Sequence, residues 1–381
     1  MKTFNEYITT SPYLLSQEDK DKLLKLDKLY YEFIMKCKES YDAHIIVNLD
    51  EQWELFNKHL KTSIKYNPIF KLQPNTLTDY HIQLGETLLK EFRNFRCFLS
   101  EYYIQLITDQ LDIIKYFMGL ESAPYYMSRK SLLPSLENYQ KSLEVIKNTK
   151  FDESLTTDRN IPGDKVAKII QNYIDSKEYH WIVKLNDELL PRMSVRPNKT
   201  MYVKTQSKFS KEDIEGLKRH EVDGHIGRRY YGLKTGLYLF LFGLPGRNTL
   251  DEGLAVYNSL HKVKKVKPNV MFNISIKTVV SYQLNKMDFW DLFKYVKELA
   301  PEFPDKKVFT MLARFKREVG DGSMLGGCTD DLSYFCGYQI VKDMTDQQRD
   351  DILKYNIGPQ QIRDLPKIKE FLKVNNFKSL I

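Results

Sequence analysis

Apolar residues at helical spacing predict that residues 1 to about 150 form mostly helices. Between Glu86 and Met118, apolar side chains recur every three or four residues, and no glycine or proline interrupts them. This pattern is typical of an amphipathic helix, and Gly119 offers a natural end to it. A shorter amphipathic helix is predicted from Val166 to Ile174, and the chain is predicted to be mainly helical again from Asp291 onward.

The convincing β pattern lies in the middle of the chain. Three short runs of apolar and β-branched residues, at 180–185, 192–196 and 200–204, have the composition of strands. The tripeptide Pro197-Asn198-Lys199 between the last two runs is typical of a hairpin turn. We therefore predict a small sheet, whose edge can hold an extended peptide by strand addition.

A segment rich in helix-breaking residues, 156–164, predicts a boundary between two parts of the chain. We expect a helical N-terminal region at residues 1–155 and a second domain at residues 156–381. The predicted fold class is α+β, mostly helical, with a short sheet. A chain of 381 residues is long enough for one large domain or two moderate ones, each with a buried core.

Composition and charge limit the classes of function. With 28% charged and 42% hydrophobic residues, the chain is predicted to be soluble and globular. The net charge of +8 favours an acidic partner. The lysines are scattered, however, and their densest run, at 262–267, is short and is better interpreted as solvated surface. No recognised nucleic-acid-binding module is present, so we do not expect a nucleic-acid partner.

The cysteines and the N-terminus favour a cytoplasmic location. The chain has no CxxC pair, which predicts free thiols in a reducing compartment. Residues 1–10 lack the basic start and apolar run of a secretory signal. The apolar stretch at 237–242 is too short to span a bilayer, so we expect no membrane partner. The cysteines are Cys37, Cys97, Cys328 and Cys336.

The segment 220–225, with the sequence HEVDGH, carries the strongest chemical signal. Its two histidines flank a glutamate, with one residue more between them than in the zinc-peptidase signature HExxH. Glu252 follows His225 by 27 residues and opens a predicted helix. A catalytic zinc site needs three protein ligands and one open position. His220, His225 and Glu252 are the predicted ligands of one Zn²⁺, and Glu221 is free to act on bound water as the general base.

The spacing of the two histidines predicts an unusual helix. At ~100° per residue, side chains five positions apart point ~140° away from each other on an α-helix. A π-type turn with one extra residue would bring His225 back beside His220. Gly224 permits such a distortion because it lacks a Cβ. We therefore predict a widened turn at Val222 to Gly224, on a helix capped by Ser210.

The residues alone leave the role of Glu252 open. Thr249-x-x-Glu252 also fits a capping box, in which the glutamate only caps its own helix. A lone histidine is more often an ordinary core or surface residue than a ligand. The spacing therefore supports a metal site without excluding the simpler interpretation.

Several segments taken together resemble the HExxxH tyrosine carboxypeptidases. That family includes the microtubule-associated tyrosine carboxypeptidase and the bacterial proteins named for a QEGLA motif. Between about residues 66 and 340, the matching segments are RHEVDGH at 219–225, TLDEGLA at 249–255, YNPIF at 66–70, KFS at 208–210, RRYYG at 228–232, RFKR at 314–317 and GGCTDDLSY at 326–334. Two segments depart from the family: Asp251 stands where Gln or Glu is usual, and CTDD at 328–331 replaces FTKD, which leaves substrate preference open.

The resemblance implies a zincin-like fold and a zinc-dependent carboxypeptidase that removes a C-terminal tyrosine or another aromatic residue. It also favours Glu252 as the third zinc ligand. Tyr334 is our candidate donor to the oxyanion. Arginine binds a terminal carboxylate in bidentate fashion, and the candidates in the matching family segment are Arg314 and Arg317. Further candidates near the predicted site are Arg196, Lys204 and Arg247.

The expected partner is a protein or peptide with a free C-terminus, and an acidic tail such as that of tubulin is one candidate. Two other functions remain open from the sequence: a zinc endopeptidase or aminopeptidase with the same site, and a non-catalytic, zinc-containing partner-binding protein. The presence of Glu221 argues against the last of these, because a structural zinc site has four protein ligands and needs no base.

Overall fold

The structure is a computed structural model that describes residues 11–40, 45–120, 135–152, 159–187, 189 and 191–381. It is mostly helical with a small sheet, which is consistent with the predicted α+β class. The helices before the sheet are Gln17–Ser40, Leu49–Lys61, Asp79–Asn94, Ser100–Phe117, Leu136–Asn148 and Gly163–Asp175. The α-helices after it are Lys211–Leu217, Gly227–Lys234, Tyr238–Phe242, Asn248–Lys262, Lys267–Gln283, Phe289–Leu299, Asp305–Lys316, Leu332–Val341, Asp346–Tyr355 and Leu365–Asn375, with a π-helix at Lys218–Ile226 and short 3₁₀ turns at Lys264–Val266 and Pro359–Ile362.

The prediction of one unbroken helix from Glu86 to Met118 was wrong. Two helices occupy this stretch, and the chain between them is extended at Phe95. The Ser100 hydroxyl donates to the carbonyl of Phe95 at 2.7 Å and accepts from the amide of Cys97 at 2.9 Å. Such local side-chain bonds offer the backbone an alternative to the helix. The predicted end near Gly119 is confirmed, since the second helix ends at Phe117 and Gly119 has a φ of +73°.

The predicted sheet is confirmed. Its central strand, Thr200–Val203, is antiparallel to Met193–Arg196 and parallel to Ile182–Leu185. The predicted hairpin turn joins Arg196 to Thr200, whose Cα atoms are paired in register. A separate pair of very short strands joins Ile161–Pro162 to Lys208–Phe209, directly before the helix that leads into the π-helix.

Two large hydrophobic clusters, with a smaller third one around Phe335, fill the interior of the described structure. The first joins Phe33 of the N-terminal helix to Met201 of the sheet, Val222 of the π-helix and Phe371 near the C-terminus. The second packs Phe56 against helices Phe289–Leu299 and Asp305–Lys316. Each of the two large clusters combines residues from before and after the predicted boundary at 155/156. The boundary itself lies in residues 153–158, outside the described residues, so the division into domains stays a prediction.

The short helix Tyr238–Phe242 places the apolar stretch at 237–242 within the first cluster. Its burial explains why this stretch is apolar. In the part of the chain that the structure describes, no helix has both the length and the apolar character needed to cross a membrane. Residues 1–10, on which the expectation about a secretory signal rested, lie outside the described residues.

Candidate metal centre and active site

The π-helix Lys218–Ile226 carries both histidines of the HExxxH segment. It continues the helix Lys211–Leu217, which begins with the predicted cap: the amide of Asp213 donates to the Ser210 hydroxyl at 3.0 Å. The widened turn predicted at Val222 to Gly224 is confirmed, because this segment lies wholly within the π-helix. A Cβ at Gly224 would lie 3.1 Å from the Cβ of Ala255, so glycine also permits close packing.

The three predicted ligands converge. The Nε2 atoms of His220 and His225 lie 3.6 Å and 3.5 Å from the same carboxylate oxygen, Oε2 of Glu252. Ligand atoms about 2.0–2.2 Å from a tetrahedral zinc ion are separated by roughly 3.3–3.5 Å, which agrees with these distances. Oε2 of Glu252 is buried and has no hydrogen-bond partner, so a bound cation would satisfy it. The three side chains therefore fit a metal ion.

Glu252 does not cap its helix. That helix, Asn248–Lys262, is preceded by Arg247 without a side-chain capping bond, and Glu252 lies more than one turn inside it. We call it the ligand helix. The capping box with Thr249, which the sequence left open, is therefore absent from this described helix.

The electrostatics of the centre favour a cation. Burial opposes ionisation of Glu252, but His225 and His220 hold the pKa of its carboxyl well below the usual value. Burial also lowers the pKa of His225, yet Asp251 and Glu252 outweigh it and raise that pKa to about 10. The negative charge that would keep a proton on this imidazole can equally attract a divalent cation.

A cavity of about 390 Å³ opens beside His220. His220, Glu221 and Tyr334 line it together, so the predicted base and oxyanion donor face the same space as one predicted ligand. The rings of Tyr334 and His220 are stacked, with their centroids 6.3 Å apart. The charge of Glu252, together with burial, raises the pKa of Tyr334 well above 10, so its phenol is protonated at neutral pH. We call this space the small cavity.

A second cavity, of about 770 Å³, is strongly basic. Its described lining contains no aspartate or glutamate and seven basic side chains: Lys38, Arg196, Lys277, Lys306, Lys307, Arg314 and Arg317. Burial, and to a smaller extent three neighbouring arginines, lower the pKa of Lys38 to about 7, so this side chain is only partly charged at neutral pH. We call this space the basic cavity. Apolar side chains such as Ile46, Leu49 and Met311 form other parts of its wall.

Three of the five predicted substrate-binding cations are brought together in the basic cavity: Arg196, Arg314 and Arg317. The other two lie outside both linings. The Lys204 ammonium donates to the carbonyl of Leu189 at 2.7 Å, and Arg247 donates to Asp251 at 3.1 Å. Both side chains therefore make contacts within the protein.

Lys277 was missed by the sequence analysis although it lines both cavities. Its ammonium lies 2.9 Å from Asp331 and 4.8 Å from the centre of the Tyr334 ring. Arg314 donates to the same carboxylate at 2.7 Å. The buried Asp331 thus holds two cations next to the candidate oxyanion donor. No spacing in the sequence links Lys277 to these partners.

By its family the chain is a carboxypeptidase, a peptidase that acts at the C-terminus of a protein substrate. The family model described as microtubule-associated tyrosine carboxypeptidase matches residues 122–378. Since this match covers more than half of the chain, the protein belongs to that family, as the resemblance predicted. The match includes both histidines, Glu252 and Tyr334 but begins after the YNPIF segment at 66–70. No curated protein matches the chain.

Proposed function

We propose that this protein is a zinc-dependent carboxypeptidase that removes a C-terminal tyrosine or another aromatic residue from a protein or peptide. The observation that carries the proposal is the approach of His220, His225 and Glu252, whose ligand atoms all lie within 4.8 Å of one another. The proposal includes a zincin-like site, with the metal-binding helix next to a small sheet. Membership of a carboxypeptidase family supports the proposal. So does a set of three candidate ligands, because a catalytic zinc site keeps its fourth position open for water.

The roles of the protein side chains follow from their positions. When bound, zinc supplies a Lewis acid and lowers the pKa of a coordinated water from 15.7 toward roughly 7. Glu221, which shares the small cavity with His220, accepts the proton of the attacking water and delivers it to the departing amine. Tyr334, held protonated beside Glu252, donates a hydrogen bond to the developing oxyanion.

The charge of the basic cavity favours an acidic C-terminal segment, and the tail of tubulin has this character. Arg314 lies in this cavity and beside Tyr334, so it is the arginine we assign to the terminal carboxylate. Lys277, at the junction of the two cavities, adds a second positive charge there.

The small cavity offers apolar contacts for an aromatic ring and the amide of Asn273 for a phenol hydroxyl. The apolar residues that line it are Leu217, Val256, Val270 and Ile274.

The proposal predicts that cleavage requires both the metal and a free C-terminus. Metal-stripped and zinc-reconstituted protein would each be incubated with an acidic peptide ending in tyrosine and with its C-terminal amide. Mass spectrometry should show release of tyrosine from the free acid by the zinc-loaded protein alone. The amide should react at least about 100-fold more slowly, because it leaves the carboxylate-binding cations unpaired.

Each alternative function gives a different product. Internal cleavage of acid and amide at equal rates would indicate an endopeptidase, and loss of the N-terminal residue would indicate an aminopeptidase. A third result is that the zinc-loaded protein cleaves neither of these peptides nor any peptide in a set that ends in each of the other amino acids. That result would support the alternative of a non-catalytic binding protein.

Arg314→Ala is expected to weaken use of the free-acid peptide. Removing one charged hydrogen-bond donor from a carboxylate costs about 1.5–3 kcal/mol, which corresponds to roughly 10- to 100-fold in kcat/KM. The loss should be much smaller for the amide peptide. Lys141→Ala is the matched control, since Lys141 forms an exposed pair with Glu137 outside both cavities. Undiminished hydrolysis by Arg314→Ala and Arg317→Ala would remove both arginines from substrate binding.

A further inference from the structure

Asp251 and Glu252 are consecutive on the ligand helix but contact different sides of the same histidine. Glu252 lies near Nε2 of His225, at 3.5 Å. Asp251 lies near the other ring nitrogen, with its Oδ1 atom 2.5 Å from Nδ1. Neighbouring residues on a helix point ~100° apart, which allows two adjacent carboxylates to bracket one imidazole in this way.

The second oxygen of Asp251 is held by two arginines. Oδ2 forms an ion pair with Arg228 and lies 3.1 Å from Nη1 of Arg247. Arg228 is 1% exposed and follows His225 by one helical turn, and Arg247 directly precedes the ligand helix. The side chain of Asp251 is itself only 7% exposed. One oxygen of this carboxylate therefore faces the histidine, and the other is fixed by the positive charges of Arg228 and Arg247.

We propose that Asp251 is a positioning residue: it accepts a hydrogen bond from Nδ1 of His225, and Arg228 and Arg247 hold it in place. This inference rests on the proposed function and adds a residue to it. A neutral imidazole with its proton on Nδ1 has its lone pair on Nε2, the atom that faces Glu252 and His220. A carboxylate on Nδ1 fixes the tautomer and orientation of the ring and makes Nε2 a better ligand.

Asp251→Asn in the full-length protein tests the inference. The amide keeps the shape of the side chain but lacks the charge that pairs with the imidazole and both arginines. Zinc affinity, measured by competition with a chromophoric chelator, should fall about 10- to 100-fold, as expected for loss of such a partner. The visible absorption spectrum of Co²⁺-loaded protein should change as well, and Asp251→Glu should recover part of the affinity.

Two further measurements separate positioning from a general loss of structure. The melting temperature of the metal-free protein reports on folding for each variant. The control variant Asp223→Asn removes a carboxylate that lies on the π-helix and pairs with Arg219 and Tyr173. This variant should keep the zinc affinity of the wild-type protein. If Asp251→Asn does not fold, Arg247→Met replaces it, because Arg247 is 23% exposed and its loss should be tolerated. That variant should lower zinc affinity by a smaller factor.

The possible results are distinct. The positioning role would be overturned if Asp251→Asn kept wild-type zinc affinity and an unchanged Co²⁺ spectrum. Where Arg247→Met is used instead, the same result in that variant would overturn it. The same holds if Asp223→Asn loses as much affinity as Asp251→Asn. If the wild-type protein itself binds no stoichiometric zinc, the proposed function fails first. Wild-type zinc binding together with an unaffected variant refutes the positioning role alone.

Discussion

Glu221→Gln is expected to abolish peptide hydrolysis while zinc binding is retained. Glutamine has nearly the same shape as glutamate but cannot accept a proton from the attacking water. Loss of a positioned general base costs typically 10²–10⁴-fold in rate, and we expect a decrease of at least about 100-fold in kcat. The measurement is release of tyrosine from the free-acid peptide, together with the zinc content of the purified variant.

The position of Glu221 explains why zinc binding should survive this substitution. Glu221 lines the small cavity but does not belong to the three side chains whose ligand atoms converge, so zinc should stay bound. A variant that loses zinc would identify Glu221 as a ligand and not as the base. Normal cleavage by a zinc-loaded variant would show that another group accepts the proton.

Much of the local structure of the candidate site was predictable because its constraints are local. His225 lies five positions after His220, and a regular α-helix cannot bring such a pair together. The widened turn follows from this spacing, and the structure contains it. The strands were predictable for a related reason, since two runs of β-branched and apolar residues with a turn between them favour a hairpin over other local structures. Glu252 needed the family resemblance in addition, because a capping box explained it equally well.

The rest of the site depends on packing between distant segments. Lys277 reaches the site only because helix Lys267–Gln283 packs beside helix Leu332–Val341, which carries Tyr334. Lys204 was predicted to bind substrate from its place on a strand, but its ammonium donates to a nearby carbonyl. The sequence shows that a cation is present; the tertiary fold decides whether that cation faces a cavity. The break between the two helices at 79–117 has a local cause instead, since Ser100 forms side-chain hydrogen bonds that compete with the helix.

Gly337→Ala is expected to damage both stability and the metal site. Gly337 lies where helix Leu332–Val341 crosses the ligand helix, opposite Gly253. A Cβ at Gly337 would collide with the carbonyl oxygen of Thr249 and lie 2.9 Å from the Cα of Gly253. These are backbone atoms, so the two helices must move apart. Overpacking of this kind costs typically 1–3 kcal/mol, and we expect a loss of about 3 kcal/mol in the free energy of unfolding.

The displacement should also reach the ligands, because Glu252 is next to Gly253 and Tyr334 is one turn before Gly337. We therefore expect weaker zinc binding by Gly337→Ala, measured alongside its denaturant unfolding curve. Gly216→Ala is the matched control: Gly216 is also a helical glycine, but apart from its own helix backbone no atom lies within 4 Å of the added Cβ. That change should raise stability by about 0.5–1 kcal/mol, since alanine is the better helix former, and leave zinc affinity unchanged. Wild-type stability and zinc affinity in Gly337→Ala would mean that the helices tolerate a wider separation than this contact indicates.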